Sequence, residues 1–75
     1  MEEKIIEILA EINEDIPSYE GGNLFDAGLL DSLKAVDLVA ELEDAFDVDI
    51  DAEYVTEENF RTKEAIIAMI KSILE

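Results

Sequence analysis

Asp31-Ser32-Leu33-Lys34-Ala35-Val36-Asp37-Leu38-Val39-Ala40-Glu41-Leu42-Glu43-Asp44-Ala45-Phe46 is the stretch that decides the fold. At about 100° per residue, Ala35, Leu38, Val39, Leu42, Ala45 and Phe46 fall on one broad apolar face. Lys34, Asp37, Glu41 and Asp44 occupy the opposite arc. The spacing predicts a helix over 32–46, with Asp31 or Ser32 as its N-cap. Leu33, Val36 and Ala40 lie on the rim, so Leu33, Asp37, Ala40 and Asp44 make a mixed apolar and acidic stripe. Such a stripe suits a partner with apolar and basic groups, although an ordinary solvated face with one exposed leucine explains it more simply.

Upstream of this run, residues 17–31 read as a long loop punctuated by Pro17, Ser18, Gly21-Gly22, Asn23 and Gly28. Leu24, Phe25, Leu29 and Leu30 lie within it and are expected to pin it across the helices, fixing the corner at 28–32. Before the loop, Ile5, Ile8, Leu9, Ile12 and Ile16 recur at helical spacing opposite a row of glutamates, which predicts a first helix from residue 2 to about Asp15. Pro17 disfavours helical geometry in the residue before it and sets that limit.

Downstream, Asp47–Asp51 alternates acids with Val48 and Ile50, as an extended lead into a short third helix near Thr56–Phe60. Thr62 is a good N-cap for a last helix over Lys63–Leu74, with Ile66, Ile67, Ile70, Ile73 and Leu74 as its core stripe and Ala65 and Met69 at the edges. Three main helices and one short one, with no convincing strand, predict an all-α fold: a four-helix bundle over a single domain, residues 1–75.

Composition narrows the function. The chain has 21 acids against five bases, a net charge of −16, and neither Cys nor His. It therefore lacks a thiolate nucleophile, a disulfide, and the usual general base and zinc ligand near neutral pH. The surface repels phosphate backbones and anionic headgroups, which argues against nucleic-acid or membrane binding and favours partners with basic patches. A bilayer-crossing run and a signal peptide are both missing, so a cytoplasmic location is expected; the chain is expected to be a monomer. With 75 residues there is little room for an enclosed pocket, and an independent enzyme is not expected.

Ser32 has two readings. It is a helix cap, worth about 1 kcal/mol, or it is an exposed hydroxyl where free N–H groups favour an attached phosphate. No general base such as a histidine sits nearby in sequence to make it a catalytic nucleophile, so activation of this hydroxyl would come from another enzyme.

Leu24-Phe25-Asp26-Ala27-Gly28-Leu29-Leu30-Asp31-Ser32-Leu33, followed by Val36, Leu38, Val39, Leu42, Glu43 and Phe46, resembles the attachment region of acyl and peptidyl carrier proteins. The resemblance continues through Val48, Ile50, Asn59-Phe60, Thr62 and Ile66-Ile67, over nearly the whole chain. It implies a four-helix bundle and 4′-phosphopantetheine, taken from coenzyme A and joined to Ser32 by a phosphodiester, with Asp31 and Leu33 flanking it. The arm's thiol would then bear an acyl or aminoacyl thioester, so the reactive sulfur is imported with the cofactor. The partners implied are a phosphopantetheinyl transferase, a loading ligase, and a downstream acyltransferase or synthase. Docking to them would use Leu33, Asp37, Ala40, Glu41 and Asp44.

Carriers of primary fatty-acid synthesis typically read Gly-Ala-Asp-Ser-Leu, whereas this chain has Gly28-Leu29-Leu30-Asp31-Ser32-Leu33. This form is more similar to the stand-alone carriers of D-alanyl groups in teichoic-acid modification and to discrete peptidyl carriers. Lys34 also departs from the acidic start of the second helix in fatty-acid carriers, while the heavy negative charge suits an acyl carrier. The reading is a stand-alone carrier outside, or parallel to, the housekeeping fatty-acid system, with fatty-acid, D-alanyl, polyketide and peptide cargoes all open.

Two alternatives belong to other classes. Asp47, Asp49, Asp51 and Glu58 match the calcium-ligand spacing of an EF-hand, with Tyr54 in its apolar position, but Ala52 stands where the turn calls for Gly. Looser divalent binding by these acids is the milder form of that idea. The other alternative is an unmodified helical adaptor that binds a basic protein through the second helix and has no need of Ser32.

Overall fold

In the computed structural model, which describes residues 2–75, the expected central helix forms as α2, Ser32–Phe46. Before it comes α1, Glu2–Ile12; after it come α3, Glu57–Phe60, and α4, Lys63–Leu74, with a 3₁₀ turn at Ala52–Tyr54. Strands are absent among the described residues, and the fold is the all-α bundle expected. α1 packs against both α2 and α4, and α3 packs against α4.

The amphipathic faces meet in one core. Ile5, Ile8 and Leu9 of α1, Ala35, Leu38 and Leu42 of α2, and Ile66, Met69 and Ile70 of α4 are buried together with Ile16, Leu24, Leu30, Ile50 and Phe60. Each large apolar side chain removed from water here contributes roughly 1.5–3 kcal/mol before the entropy of ordering is subtracted. Leu24 and Leu30 are loop residues, and half-buried Phe25 and Leu29 pack beside them, so the long loop is pinned as expected.

Several expectations need correction. The first helix stops at Ile12, three residues short of Asp15. Asn13 ends it: its side-chain oxygen accepts the Asp15 N–H at 2.9 Å, an alternative to the helical bond, and the chain passes through turns to Ile16. Ala45 is exposed, because it sits at the edge of the α2 stripe, while Phe46 beside it packs against the core. On α4 the buried face is rotated toward Met69, which is 5% exposed; Leu74, at the last turn, is 42% exposed. Residues 48–51 form no helix, and between them and α3 a 3₁₀ turn intervenes that the alternation does not announce, capped by Asp51 accepting from the Glu53 N–H at 3.2 Å. The limits of α4 and its Thr62 cap are as expected.

Candidate functional site

α2 begins at a corner built in two steps. The loop first closes on itself: Gly28 adopts a φ of 78°, which an L side chain resists, and donates its N–H to the Phe25 carbonyl at 3.1 Å. Leu29 and Leu30 both donate to the Leu24 carbonyl, at 2.9 and 3.3 Å, which seats buried Leu30 one residue before the helix cap.

The cap is Asp31, in an extended conformation with φ −147° and ψ −176°. Its Oδ1 accepts the Lys34 N–H at 2.9 Å, and its carbonyl accepts the Ala35 N–H at 2.8 Å. Of the two capping candidates, Asp31 therefore takes the role, and Ser32 becomes the first helical residue. Ser32 is exposed, and among the described residues its hydroxyl has no hydrogen-bond partner. The backbone N–H groups of Ser32 and Leu33 are equally free.

An alkyl phosphate fits this corner. Two unengaged N–H groups and the positive end of a 15-residue helix lie at the residue that would bear the phosphate, and both favour an anion there. Lys34, half-buried, is the lone base on α2, while the Asp31 carboxylate next door is occupied with its N–H bond. Among the described residues no side chain supplies a base bonded to Ser32, so the hydroxyl is presented rather than activated.

The structure places the remaining candidates on one accessible face. Leu33 is 78% exposed and Val36 61%; Asp37, Ala40, Glu41 and Asp44 are exposed along the same helix. Val55, 37% exposed, lies beyond the 3₁₀ turn. A shallow depression of about 360 Å³ opens between α3 and α4, bordered by Tyr54, Glu58, Asn59, Arg61, Ala65 and Ser72; Ser32 and Leu33 do not line it.

The calcium spacing has no matching geometry. Among the described residues no group of three acidic side chains converges as a metal site. Asp47 is the left-handed C-cap of α2, Asp51 caps the 3₁₀ turn, Ala52 begins that turn without a positive φ, and Glu58 lies on α3.

Two residues here have a role that periodicity did not reveal. Glu43 holds the turn after α2, its carboxylate accepting the Ile50 N–H at 2.8 Å while its carbonyl accepts the Val48 N–H at 3.2 Å. Asn23, read from sequence only as a loop marker, accepts the N–H groups of Phe25 and Asp26 at 2.8 and 3.2 Å. An asparagine just before an apolar turn is a recognisable Asx-turn signal. The Glu43 contact spans seven positions and leaves no local mark.

A helical bundle that pins a loop and ends it on a free, accessible hydroxyl has the form of a module that can present a covalently attached group. The chain belongs to the phosphopantetheine attachment site family, whose model matches residues 3–70. Its cofactor is 4′-phosphopantetheine, and it is a carrier, not an enzyme. Among curated relatives, the D-alanyl carrier protein of Streptococcus uberis is 35% identical over 74 residues, 97% of this chain and 94% of the relative. That of Leuconostoc citreum is 31% identical over 75 residues, 99% and 96% of the two chains. The D-alanyl carrier protein of Lactobacillus acidophilus is 30% identical over 70 residues, 92% and 89%. No solved structure matches the chain at a comparable level. No described helix is long and apolar enough to cross a membrane.

Proposed function

We propose that this chain is a carrier, a single domain over residues 1–75, that bears 4′-phosphopantetheine on Ser32 and presents an aminoacyl thioester of the D-alanyl kind. One observation carries the attachment site: Asp31 performs the capping, which leaves the Ser32 hydroxyl exposed and unbonded at the helix start. The cofactor supplies the thiol on which a thioester is carried. The chain's own residues hold the corner still, offer N–H groups toward the phosphate, and leave Leu33 and Val36 bare beside it.

Support for the D-alanyl cargo comes from the three relatives just described, all D-alanyl carriers matched over nearly their whole length, and from the Gly28-Leu29-Leu30-Asp31-Ser32 form of the motif. A general acyl carrier is the second reading, favoured by the net charge of −16. Fatty-acid or secondary-metabolite synthesis has no relative among those described to support it. The partners proposed are a phosphopantetheinyl transferase, a D-alanine-activating ligase, and a downstream acyltransferase, met in the cytoplasm by a monomeric carrier. The docking surface proposed is the exposed stripe of Leu33, Asp37, Ala40, Glu41 and Asp44.

The test is made in two stages on intact mass. Apo protein is incubated with coenzyme A and a broad-specificity phosphopantetheinyl transferase, with Ser32→Ala as control. Wild type gains one phosphopantetheine and the variant none; equal gain on both removes Ser32 as the site. The holo protein is then offered to a D-alanine-activating ligase with ATP and D-alanine, and separately to an acyl ligase with a fatty acid. Alanyl loading alone supports the proposed cargo, and fatty-acyl loading alone replaces it with the second reading.

A further inference from the structure

The loop that ends at Ser32 is fastened to α3 on both sides of that short helix. Asn23 Nδ2 donates to Glu57 Oε2 at 2.9 Å, across 34 positions of sequence, and Glu57 is the first residue of α3. The next residue, Leu24, donates its N–H at 2.6 Å to the carbonyl of Arg61, the residue that closes α3. Asn23 also organises the turn that follows. Its Oδ1 accepts from Phe25 and Asp26, and its carbonyl accepts the Ala27 N–H at 3.1 Å and the Tyr19 hydroxyl at 3.2 Å. One side chain therefore shapes the 24–28 turn with its oxygen and ties that turn to α3 with its nitrogen.

We infer that Asn23 is a positioning residue for the modification of Ser32, acting through the 24–30 turn and through its bridge to Glu57. The inference rests on Ser32 being the attachment site. The bridge is exposed and buries no apolar surface, so it adds little to global stability. What it fixes is direction. From Leu24, buried in the core, the chain runs to Leu30, also buried, and then straight into Asp31 and Ser32. The anchored leucines set where the corner lies, and the Asn23–Glu57 bridge sets how the turn between them is oriented against α3. An enzyme that must bring its own base to the Ser32 hydroxyl is sensitive to small misplacements of that hydroxyl.

The experiment separates the turn from the bridge. Asn23→Asp keeps an oxygen for the Phe25 and Asp26 N–H groups but can no longer donate to Glu57. Glu57→Gln keeps an acceptor for Asn23. In the combined variant the introduced amide donates to the introduced carboxylate, which restores the bridge with donor and acceptor exchanged. Initial rates of phosphopantetheine transfer from coenzyme A are measured by intact mass over a range of carrier concentrations, below the melting temperature of every variant.

Asn23→Asp is expected to lower kcat/KM about three- to tenfold, the factor expected for the net worth of one hydrogen bond. Glu57→Gln is expected to stay near wild type, and the combined variant to recover to within about twofold of Glu57→Gln, in keeping with one restored bond. A purely structural asparagine would shift the melting temperature and leave kcat/KM of the folded protein alone. Unchanged kcat/KM in Asn23→Asp, or a combined variant no better than Asn23→Asp, overturns the inference. No mass gain on wild type overturns the Ser32 reading itself, a result distinct from either of these.

Discussion

α2 and α4 start by the same rule and end up with different uses for their first turns. Each has an extended cap whose side-chain oxygen accepts the N–H three residues on: Asp31 from Lys34 at 2.9 Å, Thr62 from Ala65 at 3.0 Å. At α4 the first helical residue is then put to structural work, because Lys63 Nζ donates to the Pro17 carbonyl at 2.5 Å and ties the helix to the long loop. Ile66, in the next turn, is fully buried. At α2 the first helical residue is Ser32, whose hydroxyl has no hydrogen-bond partner among the described residues, and the second is Leu33, 78% exposed. A cap therefore does not mark a site. What marks it is a functional group left unemployed after capping and packing are satisfied, held in place by neighbours that are not.

The strongest way to break this contrast is to truncate one apolar residue near the start of each helix. Ile66→Ala should cost about 2–5 kcal/mol through the cavity it leaves, enough to unfold much of a domain this small. Leu33→Ala should change stability by less than about 0.5 kcal/mol, because its side chain is already in water. Chemical denaturation followed by circular dichroism measures both. A costly Leu33→Ala would mean that the α2 corner is packed in solution and is not the open surface described.

Next in size are the caps. Asp31→Ala and Thr62→Ala should each lose about 1 kcal/mol of stability. They part company in the loading assay. Thr62→Ala should accept phosphopantetheine at the wild-type rate, and Asp31→Ala should be slower because the Ser32 corner frays. Equal loading rates for the two would erase the functional difference between the helix starts.

How much of this contrast was legible before the fold was seen depends on the range of the interaction. α4 was readable at both ends because Thr62, the apolar period and the basic last turn agree within a dozen residues. α1 overran because the bond that stops it, from Asp15 N–H to the Asn13 side chain, competes with a helical pattern that continues through Ile16. Asp31 and Ser32 both carry capping oxygens, and only the backbone geometry decides between them. Periodicity placed Leu38 and Leu42 inside, but it cannot tell that α4 rotates toward Met69 and away from Leu74, since that depends on what α1 and α3 press against. The bridge from Asn23 to Glu57 spans 34 positions and has no local signature. Ser32 itself was explicable as a cap until the resemblance to carrier proteins gave its hydroxyl another use.

A smaller effect is expected along the exposed side of α2. Reversing one charge, Asp37→Lys or Glu41→Lys, should slow transfer to a basic partner about two- to threefold at low salt, with helical circular dichroism unchanged. The difference should fade near physiological ionic strength, where the Debye length shortens to about 8 Å. Equal rates at low salt would remove Asp37 and Glu41 from the docking face.

The far ends of the two helices extend the comparison to its weakest term. α2 has no base in its last turn and closes on Asp47 in the left-handed conformation, at φ 53°. α4 carries Lys71, whose Nζ meets Glu2 Oε2 at 2.6 Å in the one ion pair among the described residues. The hydrogen bond from Lys71, and then its charge, hold the Glu2 carboxyl below its ordinary value of 4.5. A carboxyl with a depressed folded pKa stabilises the protein fully above the unfolded value and loses that contribution as the pH falls through the folded one. The two side chains are 45% and 59% exposed, so solvent screens the pair heavily. Glu2→Gln should therefore melt only slightly below wild type at pH 7 in low salt. That small gap should close as the pH is lowered past the depressed pKa, and it should also close in about 1 M salt. Acidification relieves repulsion among the remaining acids in both proteins, so the absolute melting temperatures move for another reason. The difference between them isolates the pair. A gap that persists in acid would assign the stabilisation to the packing of the Glu2 stem and remove the last electrostatic distinction between the two helices.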